Sequence, residues 1–472
     1  MLAELASLDG ARTWDVAVVG SGPAGMTVAV ALARLGREVL LLEGGDRYYT
    51  DESQALYKGA VVGDHYFSLD ECRMRMLGGT SAHWTGWTRP FEAEDFDRRD
   101  IDSMAWWPIG QSDLTPYQAT AAKMLGVPNA YWAKGFGGGL REFNFQLSPD
   151  PTRFGDAYWT ELEAARRITL ALGSNLVGID SDGSSVSALT MANAQGVRRQ
   201  IRARSYVLAC GGIENSRLLM HFNNQSQGRL IKQPQTLGRY WMEHPHYTIG
   251  FGFVPKYSGD HLFLSFEPAE LRRRGLFNCG LRLHQTTHEG WLDPLTDLAC
   301  VAPKTADRVF KKFKMDASCL TTLRAAWEMA PRAVNRVALN PEVLDALSIP
   351  RVTLHYQLSD ADRANMRDLV LAYGAYLAKN RLGSIRLEPW TLGEAEFPKD
   401  DEIAGYHHLG GTRMSTTPET GIVDKDLKVF GQSNLFMAGS SVFPTAGHVN
   451  PTLTIVQLSL RLADHLNRRV LA

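Results

Sequence analysis

The glycine turn at residues 20–25, GSGPAG, constrains this chain most because of what stands on either side of it. Before it runs an apolar strand, DVAVVG, from Asp15 to Gly20. After it come MTVAVALARLG, apolar at helical spacing, and a second strand, VLLLE, ending at Glu43. Strand, glycine turn, helix and strand in this order open a dinucleotide-binding βαβ unit. Gly20 permits the tight turn, Gly22 lets backbone N–H groups approach a pyrophosphate, and Gly25 lets the helix lie close to the sheet. The helix N-terminus offers positive potential to the phosphates. Glu43 falls about 20 residues past the glycines, where a carboxylate can accept hydrogen bonds from ribose hydroxyls. A glycine-rich turn in some other α/β fold would account for the turn but not for both strands, the helix and the terminal acid.

With 472 residues the chain exceeds one simple core and suits two interleaved domains. A formal net charge of -1 gives no steering toward nucleic acid or anionic lipid. The basic runs Arg272 to Arg274 and Lys311 to Lys314 read as solvated helix faces. Cys72, Cys210, Cys279, Cys300 and Cys319 are odd in number, widely spaced and without a CxxC pair, so neither a disulfide framework nor a zinc site is expected. The N-terminus has no basic leader before an apolar stretch, and no run approaches the roughly 18 apolar residues of a membrane span, so a reducing, cytoplasmic setting is expected.

Between Ile168 and Ala209, short alternating runs broken by GS, SDGSS and NAQG predict a β-meander returning to the parallel sheet, where a nicotinamide dehydrogenase would continue with further βα units. The stretch from Phe251 to Trp390, with Trp291 and Trp327, reads as a second domain covering the first. From Gly405 onward, glycine-dense loops feed one strong helix. Asn450 is placed to N-cap it and Pro451 to start it, with Leu453, Val456, Leu460 and Ala463 as its apolar stripe.

These segments resemble the glucose-methanol-choline (GMC) oxidoreductases. GSGPAG with Glu43 is similar to that family's ADP-binding start, and RMLGGTSAHWTG, Arg75 to Gly86, to its flavin-side loop. WWPIGQSDLTPYQ, VLACGGIENSRLL, LGRYWMEHP and the C-terminal DLKVFGQSNLFMAGSSVFPTAGHVNPTLTI resemble further family segments. HHLGGTRM and GHVNPTLT look closest to the pyranose oxidase branch and related bacterial sugar dehydrogenases. The resemblance implies an α/β fold, α+β overall, of the p-hydroxybenzoate-hydroxylase-like kind: a Rossmann-like FAD-binding domain and a sheet-and-helix substrate domain. The expected division is residues 1–105 with 160–250 and 400–472 for FAD, and 106–159 with 251–399 for substrate.

It further implies FAD contacts from Gly20, Gly22, Ala24, Gly25, Glu43, Gly78, Gly79, Thr80, Ser81, His83, Val177, Gly439, Asn450, Pro451 and Thr452. The start of the final helix would stabilise the negative charge of a reduced flavin. In the pyranose oxidase pattern the histidine four residues before the threonine of GGT is catalytic. This selects His408 as general base, with Asn450 as its hydrogen-bonding partner and His407 as a hydrogen-bonded loop residue. A neutral imidazole suits removal of the hydroxyl proton near neutral pH while the carbinol hydride passes to flavin N5. His83 stands where that pattern carries a covalent link to the flavin; a linked and an unlinked neighbour both fit. His244 and His448 are open between packing and function, as are Trp84 and Trp87.

The implied activity is oxidation of a CH–OH group of a sugar, glycoside or polyol, with dioxygen or an electron carrier as acceptor. Two alternatives stay open: an oxidase of an aminosugar or aminoglycoside intermediate, and a non-catalytic flavin-binding subunit, against which the retention of His408 and Asn450 argues.

Overall fold

Residues 16–19 and 39–42 are apolar without alternation because both faces of their strands are covered, as in parallel sheets flanked by helices. The computed structural model describes residues 1–97, 104–255, 257–285, 321–399 and 404–470, with 308 and 312 besides. Trp291, Cys300 and Cys319 lie outside them, as does most of Lys311 to Lys314. Thr13–Val19 is central to a seven-stranded sheet, paired in parallel with Val39–Leu42 on one side and Arg198–Leu208 on the other. Ile168–Ala171 extends one edge in parallel, and Leu435–Met437 joins Arg198–Leu208, also in parallel. Asn175–Ser181, Val186–Ala192 and the start of Arg198–Leu208 form the expected antiparallel meander. The long last strand leaves the meander after Ile201 and enters the parallel sheet with its Arg202 to Leu208 part.

The second sheet, also of seven strands, is antiparallel throughout, in the order Ser384–Leu387, His246–Phe253, Thr321–Trp327, Cys279–Gln285, His261–Phe266, Leu140–Phe143 and Ala133–Gly137. Strand alternation sorts its residues. Leu281, Leu283, Leu323, Ala325 and Trp327 are buried on one face, against which Asp360–Lys379 packs with Met366, Leu369, Val370, Tyr373 and Leu377. Burial of such side chains is worth about 1.5–3 kcal/mol each. The helix starts where Ser359 accepts from the Asp362 N–H and Asp362 reaches back to the Ser359 N–H, a capping box. The opposite face of the same strands, which carries Gly280, Arg282, Arg324 and Ala326, looks into the cavity described below.

A small sheet ties the two together: Gly59–Gly63 from the N-terminal part pairs in parallel with Pro350–Tyr356, which pairs with Arg336–Leu344. Cys72, Cys210 and Cys279 are free thiols. Arg273 and Arg274 bond Glu270 on the short helix Pro268–Arg274, a solvated helix face as read. No helix among the described residues is long and apolar enough to cross a membrane.

Candidate active site

A cavity of about 690 Å³ runs from the glycine turn to the second sheet, within the size range of ligand sites. At one end the backbone makes the wall. Gly20 has φ +97°, and a Cβ on Gly25 would lie 1.9 Å from the Gly20 carbonyl oxygen, so the helix Pro23–Arg34 can sit this close only without a side chain there. A Cβ on Gly22 would meet nothing within 4 Å. It would stand in the cavity, where a backbone-bound group has to approach. Glu43 accepts from the Ser21 N–H (2.9 Å), the Ser21 hydroxyl (2.6 Å) and the Gly45 N–H (2.7 Å). Three donors leave part of a carboxylate's capacity of about four open to a ribose hydroxyl. The charges beside it are matched: Arg217 bonds Glu214 at 2.6 Å and Asp345 at 2.5 Å, and Arg73 lies 3.5 Å from Glu214.

Of the residues expected to touch the cofactor, Gly20, Gly22, Ala24, Glu43, Gly79, Thr80, Ser81, His83, Gly439, Asn450, Pro451 and Thr452 all line this cavity. Gly25 and Gly78 stand behind it as packing glycines; a Cβ on Gly78 would lie 2.3 Å from the Gly155 nitrogen. Val177 does not line the cavity; Ser174, Asn175 and Leu176 form the wall there. The buried Nε2 of His83 has no hydrogen-bond partner. The helices Pro23–Arg34 and Thr452–His465 both begin at the cavity without a side-chain cap, so each presents free N–H groups there. These open N-termini, the glycine cradle and the orphaned His83 nitrogen fit an anionic dinucleotide with a ring system at the far end.

Asn450 is not the N-cap expected of it: the helix opens at Thr452 behind Pro451, and the Asn450 side chain turns to a histidine instead. That histidine is His407. Its Nε2 lies 3.4 Å from Asn450 Nδ2, so the pairing of His408 with Asn450 is not the one present. The neighbouring His408, 7% exposed, also lines the cavity, but its Nε2 lies 3.0 Å from the Tyr66 hydroxyl and its ring packs against Trp241 at 6.0 Å between ring centroids. Tyr66 in turn donates to Glu243. Consecutive side chains of an extended loop diverge, so only one of the two can meet Asn450.

The hydrogen bonds behind His407 fix its tautomer. His244 Nε2 sits 2.9 Å from the Ala446 carbonyl, which can only accept, so this nitrogen carries the proton. Burial lowers the His244 pKa to about 4, so its Nδ1 is bare. His407 Nδ1, 2.8 Å away, must then donate to it. Burial also holds the His407 pKa well below its ordinary 6.5, with His244 and His408 adding to the effect. His407 is therefore neutral, and its Nε2 lone pair faces Asn450 and the cavity. Beneath it Glu243 accepts from the His244 N–H (2.8 Å) and the His407 N–H (2.7 Å), pinning both residues; burial pushes its pKa up to about 7 against those donors. Burial likewise lowers His408 to about 3.

Sequence reasoning missed Tyr66, which no local pattern marks, and Glu243, and left His244 undecided; the MEHP segment that holds Glu243 and His244 was the available signal. It also missed His246, Arg282 and Arg324, which strand alternation turns into the cavity.

Comparison with known proteins bears on the family and the fold. The family profile described as "FAD dependent oxidoreductase" matches residues 15–262, and that described as "GMC oxidoreductase" matches 331–459. The chain is 20% identical to the fructose dehydrogenase large subunit of Gluconobacter japonicus, over 95% of this chain and 97% of that one. It is 25% identical to the 6'''-hydroxyparomomycin C oxidase of Streptomyces lividus (96% and 92%) and to a C-glycoside 3-oxidase of Microbacterium trichothecenolyticum (84% and 76%). Among solved structures it shares the fold of pyridoxine 4-oxidase from Mesorbium loti, with a TM-score of 0.59 at 16% identity, over 96% of this chain and 99% of that one. A glycine cradle at one end, a histidine beside an uncapped helix start at the other, and profiles that match both ends lead to one conclusion: the chain belongs to the GMC oxidoreductases and is an FAD-dependent oxidoreductase.

Proposed function

We propose that this enzyme oxidises a CH–OH group of a sugar, glycoside or polyol to the carbonyl, with His407 as general base and Asn450 as the group that orients the alcohol oxygen. The observation that carries the reading is the His407–Asn450 pair: the chain through His244 to the Ala446 carbonyl puts the His407 proton on Nδ1 and leaves Nε2 basic, and this nitrogen accepts from the Asn450 amide where an alcohol hydroxyl would take its place. In this reading His407 Nε2 takes the hydroxyl proton and Asn450 holds the oxygen as negative charge develops on it. FAD, when bound, supplies the hydride acceptor. Gly20, Gly22, Ala24, Glu43, Gly79, Thr80, Ser81, Gly439, Pro451 and Thr452 are the residues that would hold it. The names of the relatives, a fructose dehydrogenase and two oxidases of glycosidic compounds, support a carbohydrate-like substrate. The electrons pass onward to dioxygen or a carrier, and the free thiols support a reducing compartment. The same reading divides the chain into an FAD half, residues 1–105 with 160–250 and 400–472, and a substrate half, 106–159 with 251–399.

The test is an anaerobic screen of sugars, glycosides, aminosugars and polyols against the purified yellow protein. Bleaching of the flavin absorbance by one of these classes is expected, and a flavin that none of them reduces would refute the proposal. Acid precipitation of the same preparation decides the state of His83, since linked flavin stays in the pellet and unlinked flavin colours the supernatant.

A further inference from the structure

The two neighbouring histidines of the site rest on hydrogen-bond rows that end differently. Met242 and Leu409 exchange their backbone hydrogen bonds, at 2.9 and 3.0 Å, and Pro245 pairs with Ala404, so residues 242–245 run antiparallel to 404–409. This register sets Glu243 against both histidines. The row behind His407 passes through His244 to the Ala446 carbonyl, which can only accept, so its polarity is fixed. The row behind His408 passes through Tyr66 to Glu243, and a carboxyl group accepts when ionised and donates when protonated.

Glu243 is fully buried, and no cation pairs with it among the described residues. Its two oxygens have separate partners. Oε1 accepts from the N–H groups of His244 and His407, at 2.8 and 2.7 Å, and Oε2 accepts from the Tyr66 hydroxyl. Because Tyr66 donates there, the neutral His408 must donate to Tyr66 from Nε2, which leaves its Nδ1 bare. The His408 ring lines the cavity, and Nδ1 is bonded to none of the described residues. A proton on Oε2 reverses every link of this row. Oε2 then donates to Tyr66, Tyr66 turns its hydrogen to His408 Nε2, and the imidazole carries its proton on Nδ1. Without that reversal the Tyr66 hydrogen would have no acceptor in a buried site, which is costly. Oε1 keeps both backbone donors in either state, so His407 stays as it is.

We infer that His408, Tyr66 and Glu243 form a one-proton relay from the cavity to a buried store: His408 offers the cavity an acceptor nitrogen when Glu243 is ionised and a donor N–H when it is protonated. The inference goes beyond the oxidation reading and holds whichever compound is the substrate. One proton enters at His408 Nδ1, the Nε2 proton moves to the Tyr66 oxygen, and the Tyr66 proton moves to Oε2; no electrons move. Burial raises the Glu243 pKa to about 7, lowers that of His408 to about 3 and holds Tyr66 well above its ordinary 10, so the proton rests on Glu243 and neither on the imidazole nor as a vacancy on the phenol. Of the groups around the row, burial pushes Cys72 up to about 12 and Tyr356 well above 10, and it lowers His83. Arg73 is engaged by Glu214 and by the Leu69 and Tyr57 carbonyls, and His244 and His407 are neutral. The donor form of His408 suits an oxygen that can only accept, such as a carbonyl.

The test is NMR of the holoenzyme with isotope-labelled histidine ring nitrogens, the His408 signals being identified by their loss in His408→Gln. In the wild type His408 is expected to pass from the Nε2–H form to the Nδ1–H form as pH falls through about 7, while His407 keeps its proton on Nδ1. Glu243→Gln can keep both backbone donors on its amide oxygen while its NH2 group donates to Tyr66, so it should hold His408 in the Nδ1–H form at every pH. Tyr66→Phe cuts the row, and His408 should no longer follow pH. It also removes a donor that favours ionised Glu243, so the infrared carboxyl band lost in Glu243→Gln should titrate at higher pH in Tyr66→Phe than in the wild type. A wild-type His408 in the same form on both sides of pH 7, or one that follows pH equally in Tyr66→Phe, would overturn the relay. Those two spectra decide the question even if Glu243→Gln does not fold.

Discussion

The two ends of the cavity are built on different principles. At the glycine turn the wall is backbone, set by Gly20 and Gly25 and by the open helix start at Pro23, and every acid beside it has donors: Glu43 from Ser21 and Gly45, Glu214 and Asp345 from Arg217. At the second sheet the wall is side chains brought from far apart, His244, His407, His448, Asn450, Arg282 and Arg324, with His244 and His407 held neutral by burial. The first end is a finished receptor for a ligand common to many enzymes. The second brings a neutral imidazole and an amide together at the cavity wall, which is what a reaction requires.

The comparison breaks most visibly at Gly22. Its missing Cβ leaves space rather than packing, so Gly22→Val should fold yet purify colourless; a normal flavin-to-protein absorbance ratio in this variant would contradict the backbone-cradle account. At the other end the tautomer chain predicts an intermediate effect. His244→Phe keeps a ring in place but frees His407 to carry its proton on either nitrogen, and it should slow anaerobic flavin reduction by about tenfold, the scale of one hydrogen bond. FAD content should stay normal, and the pH profile should move toward that of an ordinary imidazole, which a purely structural role would not produce. The smallest expected effect is an absence of change. A free imidazole loses its basic form as pH falls through 6.5, whereas burial places the His407 pKa well below that, so the wild-type reduction rate should stay level through 6.5. An acid limb with a midpoint near 6.5 would show that the base is not buried as described.

The same contrast explains which parts were legible in the sequence. The parallel sheet, the meander and the glycine cradle come from residues close together in the chain, each with a reason local to its turn or strand, and the cofactor could be read from them. Val177 falls one residue past the wall formed by Ser174, Asn175 and Leu176, because this strand meets the cavity only at its start, a limit that no local pattern marks. The proposed choice between the two histidines turns on contacts that the sequence does not bring together. His407 and His408 have the same chemistry and the same neighbours in sequence; what separates them is Tyr66 and Trp241 on one side and His244 and Asn450 on the other, and those lie 43 to 342 residues away. Asn450 looked like a helix cap because an asparagine before proline usually serves there; in this fold its amide is committed to His407.

The central claim is that His407, not His408, is the base, and stopped-flow reduction of His407→Ala and His408→Ala side by side tests it most directly. With FAD content equal in both, the His407 variant should reduce roughly 10²- to 10⁴-fold more slowly than wild type, as expected for loss of a general base. The His408 variant, which loses only the bond to Tyr66, should stay within about tenfold of wild type, the scale of one hydrogen bond, and show its defect in thermal stability. The reverse order, with His408→Ala the slow variant and His407→Ala close to wild type, would contradict the account.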